Sequence, residues 1–239
     1  MPDRYKLCVR CIFSGLLLTG LLLTGLLVPL VANAGSNHEF FHAVRHDQWY
    51  QIQKLLEHGF DPNAIDAERG ETGLMLALRE EHLRAVDVLI KAPGLDLEAK
   101  ALNGDTALMI AAFSKNKSTV EALLAKEALV NRPGWTALHY AAAAGADEIV
   151  QLLLNHYAYI DAASPNGTTP LMMAARSGHV KTVQLLLDEG ADATIKNQLG
   201  LDAIDLAKKF DHVDIAETLN QRLTVASPPS PSAPSPPAQ

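Results

Sequence analysis

Two histidines are the residues of this chain whose type and spacing come closest to a chemical site. His42 and His46 are four residues apart, and Asp47 follows the second. Side chains at that spacing share one side of a helix, where two imidazoles could hold a zinc ion. The glutamate that follows the first histidine in the H-E-x-x-H pattern is absent. Two histidines at this spacing more often lie on a solvated helix surface or cap a helix. A metal-dependent enzyme is therefore only a remote alternative for the function.

Other catalytic patterns are missing from the sequence. The chain has no G-x-S-x-G segment and no glycine loop able to cradle a phosphate. Its two cysteines, Cys8 and Cys11, lie in a C-x-x-C arrangement near the start, inside a segment that we expect to be removed. We therefore predict a protein that is not an enzyme, with no catalytic, cofactor-binding or metal-binding residues.

The N-terminal segment has the features of an export signal. Basic residues precede an uncharged, leucine-rich stretch over residues 11–34, which closes on Ala32-Asn33-Ala34, a small-x-small cleavage pattern. We predict a signal peptide over residues 1–34. The apolar stretch is long enough that an uncleaved membrane anchor remains the alternative. Whether it is cleaved or remains as an anchor, this segment would direct the rest of the chain across the membrane, so we expect a periplasmic or secreted protein.

Charge and composition narrow the class of partner. The formal charge is −7, and it becomes −9 without residues 1–34, because that segment carries three basic residues and one acidic residue. A nucleic-acid partner is disfavoured, since such proteins present a basic face to phosphates. Residues 226–239 are almost entirely Ser, Pro and Ala, which predicts a disordered or polyproline tail. We expect a monomer that touches a membrane only through an uncleaved N-terminal segment.

An internal repeat supplies the elements that would position any functional residue. Similar segments start at Thr72, Thr106, Thr136 and Thr169, which are 34, 30 and 33 residues apart, and weaker copies start at residues 38 and 202. Fourteen residues after most starts comes an apolar group at i, i+3 and i+4, typical of a second helix. The pattern predicts an all-α solenoid of six stacked helix pairs joined by short hairpins, over residues 35–225.

The repeat resembles a known family. The segments Thr136-Ala137-Leu138-His139 and Thr169-Pro170-Leu171-Met172, with Gly178-His179 and Gly190-Ala191 behind the latter, are similar to the ankyrin repeat. His139 lies at the family's own histidine position, so we expect it to make a hydrogen bond within or between repeats. The Ser36 to Glu39 segment has the form of a capping box that would start the first helix.

The sequence also departs from the family pattern. Asp47, Glu81, Lys115 and Asp211 replace the glycine between the two helices, and Glu127 and Tyr157 replace the later glycine. Asp tolerates a left-handed backbone, whereas Glu, Lys and Tyr there predict strain or a local difference. The spacing of 30 before Thr136 predicts a shortened hairpin around residues 130–134 and an irregular step in the stack.

The resemblance implies a function as well as a fold. Ankyrin stacks present a concave surface, built from hairpin tips and the exposed side of the first helices, to which partner proteins bind. Counting along the repeat pattern gives twelve exposed candidates for partner binding: Arg69, Glu71, Arg79, Leu102, Asp105, Phe113, Arg132, Trp135, Asn166, Arg176, Leu199 and Leu201. Trp135 with Arg132 and Arg176 is the predicted centre, because Trp and Arg are enriched in interface hot spots. The alternative is that Trp135 packs on its own hairpin.

Three functional classes follow from these observations. The leading hypothesis is an exported module that holds, protects or inhibits a protein partner in the periplasm. The alternative is a secreted effector that binds a foreign or host protein. The metal-dependent enzyme built on His42 and His46 remains the third.

Overall fold

The structure, a computed structural model, describes residues 29–226 of the chain. These residues form twelve helices in six successive pairs, and their extended structure is limited to one bridge between Ile65 and Thr72. The all-α repeat solenoid predicted from the sequence is therefore confirmed. The helices are α1 Pro29–Arg45, α2 Trp49–Glu57, α3 Gly73–Arg79, α4 Leu83–Leu89, α5 Ala107–Phe113, α6 Lys117–Ala125, α7 Ala137–Ala144, α8 Asp147–Asn155, α9 Pro170–Arg176, α10 Val180–Asp188, α11 Ala203–Lys209 and α12 Val213–Ala226.

The pairs stack in chain order. The first helices of the pairs (α1, α3, α5, α7, α9 and α11, here the inner helices) each contact the next one along the stack. Among the second helices (the outer helices), α2 contacts α4, α6 contacts α8, α8 contacts α10 and α10 contacts α12. Alanines such as Ala111, Ala141 and Ala174 are fully buried in the inner helices, and such small side chains let the helices approach closely. One core therefore runs through all six pairs.

Threonine side chains start two of the inner helices. Thr72 Oγ1 accepts the backbone N–H of Met75 at 3.4 Å, and Thr169 Oγ1 accepts that of Met172 at 3.4 Å. Such N-caps satisfy one of the backbone donors that a helix start leaves free. Pro170 occupies the first turn of α9, where its missing N–H costs nothing.

His139 joins two repeats, as expected from its position. Its Nε2 lies 2.9 Å from the carbonyl oxygen of Thr168 in the following hairpin, so Nε2 carries the hydrogen and donates it. Its Nδ1 accepts the backbone N–H of Thr136 at 3.2 Å. Burial lowers the pKa of His139, although the bond to Thr168 opposes that shift. The ring is therefore a neutral structural link.

Side chains of the outer loops, which follow the outer helices, form a second set of links. Asn63 Oδ1 accepts the N–H of Asp96 at 2.7 Å, and Glu98 Oε1 accepts that of Leu129 at 2.8 Å. Asn131 and Asp161 continue the series to the next two loops, at 2.8 and 3.1 Å. Each of these bonds connects one repeat to its immediate neighbour.

Within residues 29–226, six residues other than glycine adopt the left-handed backbone conformation. They are Asp47, Glu81, Lys115, Glu127, Tyr157 and Asp211, with φ between 49° and 66°. These are the six positions at which the sequence replaces the family's glycine, so the repeat imposes its turn geometry whatever residue is present. A side chain at such a φ costs about 1–2 kcal/mol, which the surrounding packing must offset.

The connection before α7 is shorter than the others, as the spacing predicts. It spans residues 126–136, eleven in all, compared with seventeen (90–106) before α5. Neighbouring hairpin tips elsewhere are joined by backbone bonds, from Leu102 N–H to the Arg69 carbonyl and from Gln198 N–H to the Asn166 carbonyl, both at 2.9 Å. The short connection is joined to the preceding one through side chains: Glu98 accepts the N–H of Leu129, and Tyr140 of α7 donates to Asp105.

The start of α1 differs from the prediction. The helix begins at Pro29 and passes through Ser36, so the expected capping box does not start it. The Glu39 carboxylate accepts a hydrogen bond from the Gln51 side chain of α2 instead of capping the start of a helix. Most of the predicted signal peptide, residues 1–28, and the tail over residues 227–239 lie outside the described residues. Within residues 29–226, no helix is both long and apolar enough to cross a membrane.

Candidate functional site

A groove of about 480 Å³ opens on the inner face of the stack, the side formed by the exposed surfaces of the inner helices and the hairpin tips. It lies where α3, α5 and α7 meet, next to the shortened hairpin. Its lining residues are Arg79, Glu81, Asp105, Ile110, Phe113, Ser114, Lys115 and Tyr140. Three of the twelve predicted residues, Arg79, Asp105 and Phe113, therefore come together at one site.

A buried polar network forms one wall of the groove. The Arg79 guanidinium donates to Glu71 Oε1 at 2.7 and 2.8 Å and lies 3.6 Å from Asp105 Oδ2. Asp105 also accepts from the Tyr140 hydroxyl and from Asn103 Nδ2. A single guanidinium thus serves two carboxylates, which fixes the Arg79 side chain at the entrance of the groove.

Two predicted contact residues are corrected by this network. Glu71 is 1% exposed and Asp105 is also buried, whereas the repeat pattern placed both on the surface. Their carboxylates turn inward because Arg79 offers them a charge partner, and a buried carboxylate requires such a partner. These two residues can position Arg79 and Tyr140 but offer almost no surface to a partner.

Phe113 and Tyr140 form the aromatic wall of the groove. Phe113 is 56% exposed, and its ring meets that of Tyr140 edge-on at a centroid distance of 6.2 Å. Burial raises the pKa of Tyr140, and the hydrogen bond to Asp105 raises it further, so the phenol stays protonated. Tyr140 is not among the twelve residues predicted from the sequence. Its signal was a tyrosine at a helix position that is apolar in the other repeats, such as Ile110 and Met173.

The predicted centre around Trp135 has a different environment. Trp135 is only partly exposed, and its ring meets that of His139 edge-on at 5.2 Å. The Arg132 side chain is 12% exposed and lies 3.9 Å from Glu98. Arg176 lies over the Phe210 ring, 5.0 Å from its centroid. The three side chains thus have three separate sets of neighbours, and their part in binding stays a prediction.

The remaining predicted residues lie at hairpin tips. Arg69 and Leu102 are exposed on adjacent tips, which the bond from Leu102 N–H to the Arg69 carbonyl joins. Asn166 and Leu199 are exposed on the tips of later repeats, and Leu201 is half-buried against the core. These side chains extend the inner face on both sides of the groove.

The histidine pair does not acquire the ligands of a metal site. The rings of His42, on α1, and His46, just after its end, lie 4.4 Å apart and are exposed. Among the described side chains, no group of three His, Cys, Asp or Glu residues is arranged to hold a metal ion. A third exposed ring, that of His38, stacks with His42 at a centroid distance of 6.3 Å, so the structure shows a row of three surface histidines at this position.

Comparison with known families agrees with this architecture. The family described as "Ankyrin repeats (3 copies)" matches residues 40–133, 74–164, 127–197 and 158–225, which together cover most of the chain. This chain belongs to the ankyrin-repeat family. A stack of ankyrin repeats is a protein-binding module, and the exposed inner face is the part of this stack suited to that role.

Three similar proteins each match about half of this chain. The chain is 34% identical over 128 residues to human "SH3 and multiple ankyrin repeat domains protein 2", a match covering 52% of this chain and 7% of that protein. It is 34% identical over 121 residues to the mouse "SH3 and multiple ankyrin repeat domains protein 1", covering 49% and 6%. "Palmitoyltransferase AKR1" of Lachancea kluyveri is 31% identical over 122 residues, covering 48% and 16%. The chain thus spans less than a fifth of each of these proteins.

Proposed function

We propose that this chain is an exported module that holds, protects or inhibits a protein partner in the periplasm, with the groove at the centre of its binding surface. Membership of the ankyrin-repeat family supports protein binding as the activity. The leucine-rich N-terminal segment and its small-x-small sequence support export. The acidic charge supports a protein rather than a nucleic acid as partner.

The exposed ring of Phe113 is the observation that carries the proposal. A phenylalanine more than half exposed, beside a fixed arginine and a tyrosine, has the composition of an interface hot spot. Arg79 is held in place by Glu71 and Asp105, so binding would cost little side-chain entropy. The groove also gives a partner's side chain a concave place to insert.

Substitution of Phe113 by alanine tests the proposal. The partner is first recovered with the wild-type protein from a periplasmic extract of the source cells and then used as a purified ligand. We expect Phe113→Ala to weaken its binding by about 2 kcal/mol, close to thirtyfold in Kd, without a change in Tm. Tyr50→Ala is the matched control, because Tyr50 is also an aromatic residue on a helix with more than half of its surface exposed, at 69%.

Two results would contradict the proposal. Equal binding by Phe113→Ala would remove the groove from the interface and return attention to Trp135 and Leu102. Recovery of a partner only from foreign cells would contradict the periplasmic role and favour a secreted effector.

A further inference from the structure

Three large apolar side chains are exposed on the outer loops of the third and fourth repeats, counting the helix pairs from α1–α2 as repeat one to α11–α12 as repeat six. In repeats one, two and five, each outer loop has a glycine within five residues of the outer helix, and aspartate follows two residues after it: Gly59 and Asp61, Gly94 and Asp96, Gly190 and Asp192. Repeat three has Glu127 and Leu129 at these positions, and repeat four has Tyr157 and Tyr159. Leu129, Tyr157 and Tyr159 are 57%, 85% and 70% exposed.

These residues are less favourable for the stability of the outer loops than the glycine and aspartate of the other repeats. Tyr157 adopts φ of 62°, a conformation in which glycine is unstrained. The aspartates of the other loops each accept the backbone N–H two residues on, at 2.8 to 2.9 Å, and so close the turn. Leu129 and Tyr159 cannot make that bond. Since the three side chains are mostly exposed, packing within the chain does not explain them.

The three side chains belong to one fixed surface. Asn131, two residues after Leu129, accepts the N–H of Tyr159 at 2.8 Å and donates to the carbonyl oxygen of Tyr157 at 2.7 Å. The N–H of Leu129 is held by Glu98 at 2.8 Å. The loops of repeats three and four are therefore tied together, and their apolar side chains are presented on a preorganised backbone.

The edge of the stack around this surface is strongly acidic. It comprises the end of each outer helix and the loop after it, residues 57–63, 89–98, 125–131, 155–161 and 188–194. Its carboxylates are Glu57, Asp61, Asp96, Glu98, Glu127, Asp161, Asp188, Glu189 and Asp192. They outnumber the four cations at this edge: Lys91 and Lys126 within these segments, Arg132 beside Glu98, and Arg222 paired with Asp188. The apolar patch thus lies in the middle of a negative field, which attracts positive charge and disfavours acidic partners.

We propose that Leu129, Tyr157 and Tyr159 form a second docking surface, for a segment of a partner protein that presents apolar side chains flanked by lysine or arginine. The apolar side chains of that segment would cover the patch, and its basic residues would meet the carboxylates along the edge. This surface shares no residue with the inner-face groove, so the two sites can be tested separately.

The test uses three fluorescein-labelled peptides of equal length, built from Lys and Leu, from Lys and Ser, and from Glu and Leu. The variant is Leu129→Asp with Tyr157→Gly and Tyr159→Asp, which introduces the residues that the other outer loops already use. We expect the Lys/Leu peptide to bind the wild-type protein at least tenfold more tightly than either other peptide. The triple variant should lose at least tenfold in affinity without a decrease in Tm.

The triple variant distinguishes apolar binding to the patch from electrostatic attraction to the acidic edge. The triple variant is more acidic than the wild type, so an electrostatic attraction without apolar contact would strengthen its binding to lysine peptides. Equal or tighter binding of the Lys/Leu peptide by the variant would overturn the proposal, and so would a lowered Tm, which would assign the patch to internal packing. Sedimentation that reveals self-association through the patch would identify a second copy as the occupant and also overturn it.

Two control variants complete the experiment. Tyr50→Ser removes an exposed aromatic side chain elsewhere on the outer helices and should leave peptide binding unchanged. Phe113→Ala, which tests the groove, should also leave it unchanged. Loss of peptide binding in either control would show that the peptide does not recognise the patch.

Discussion

Tyr140 shows how a single side chain can determine the shape of a binding site. Its hydroxyl donates to Asp105, which in turn lies beside the Arg79 guanidinium. The ring meanwhile supports Phe113 edge-on. Removing the hydroxyl would leave a buried carboxylate with one donor fewer, while leaving the aromatic wall in place.

Tyr140→Phe is therefore predicted to change the alkaline stability of the protein. The folded pKa of Tyr140 is raised above its ordinary value near 10, so the phenol contributes stability that is fully present below pH 10 and is lost as pH rises beyond it. We expect Tyr140→Phe to cost about 1–2 kcal/mol at pH 8 and to flatten the decline of Tm between pH 9 and 11. Thermal melts followed by circular dichroism measure both, with Tyr50→Phe as the exposed control.

His139 has the opposite pH dependence. Its folded pKa is lowered by burial, so its contribution is complete above about pH 6.5 and is lost as pH falls, because the unfolded chain takes up the proton first. A protonated Nδ1 would also face the N–H of Thr136, which is itself a donor. We expect His139→Gln to lower Tm at pH 7.5. Between pH 7 and pH 5, the Tm of this variant should decrease less than the Tm of the wild-type protein. His156→Gln, at an exposed position, should keep the wild-type slope.

Among the structural elements, the turns between inner and outer helices connect neighbouring repeats through histidines. His82, His179 and His212 each lie within hydrogen-bond distance of a carbonyl oxygen near the end of the preceding inner helix, at 2.9 to 3.1 Å. The rings pack closely against the turn they reach. A β-carbon added at Gly145 would lie 2.5 Å from His179 Nδ1, so that turn has no room for a side chain.

Gly145→Ala is predicted to destabilise the stack by about 2–3 kcal/mol, from left-handed strain and overpacking together. Gly94→Ala is the matched control, because φ at Gly94 is 73° and at Gly145 is 67°, yet nothing lies within 4 Å of an added β-carbon at Gly94. It should cost only about 1 kcal/mol. Urea unfolding gives both values. Adding His179→Ala to Gly145→Ala should recover part of the loss; no recovery would mean that the ring is not the obstacle.

Helix starts and turn geometry could be predicted from the sequence because they repeat. The inner helices α3, α5, α7 and α9 each begin one residue after the threonine that marks the repeat. The inward turn of Glu71 and Asp105 could not be predicted in this way. It depends on which partners Arg79 and Tyr140 meet. Arginine also occupies the equivalent position in two other repeats, as Arg45 and Arg176, but these side chains lie beside Asp66 and Phe210 instead. The repeat pattern therefore does not reveal the pairing.

For the whole molecule, the N-terminal boundary is the part of the organisation most open to direct measurement. The predicted cleavage site, Ala32-Asn33-Ala34, lies within α1, but the buried side chains described in α1 are Phe40, Phe41, Ala43 and Val44, all beyond it. Cleavage would leave these core contacts intact.

We therefore predict that the exported protein begins at Gly35. Intact-mass measurement or N-terminal sequencing of the exported form tests this directly. Its Tm should match that of a protein produced without residues 1–34. Recovery of the full-length chain from the membrane fraction would instead identify an uncleaved anchor.

The bonds between outer loops have a consequence for the order in which the protein acquires its structure. They join residues 28 to 33 positions apart, and each connects consecutive repeats. A chain whose contacts are this local has a low contact order, which favours rapid folding. Folding does not have to wait for the C-terminal repeats, because each new repeat needs only its predecessor as a template. A chain that emerges N-terminus first can thus assemble its stack in the order in which it appears.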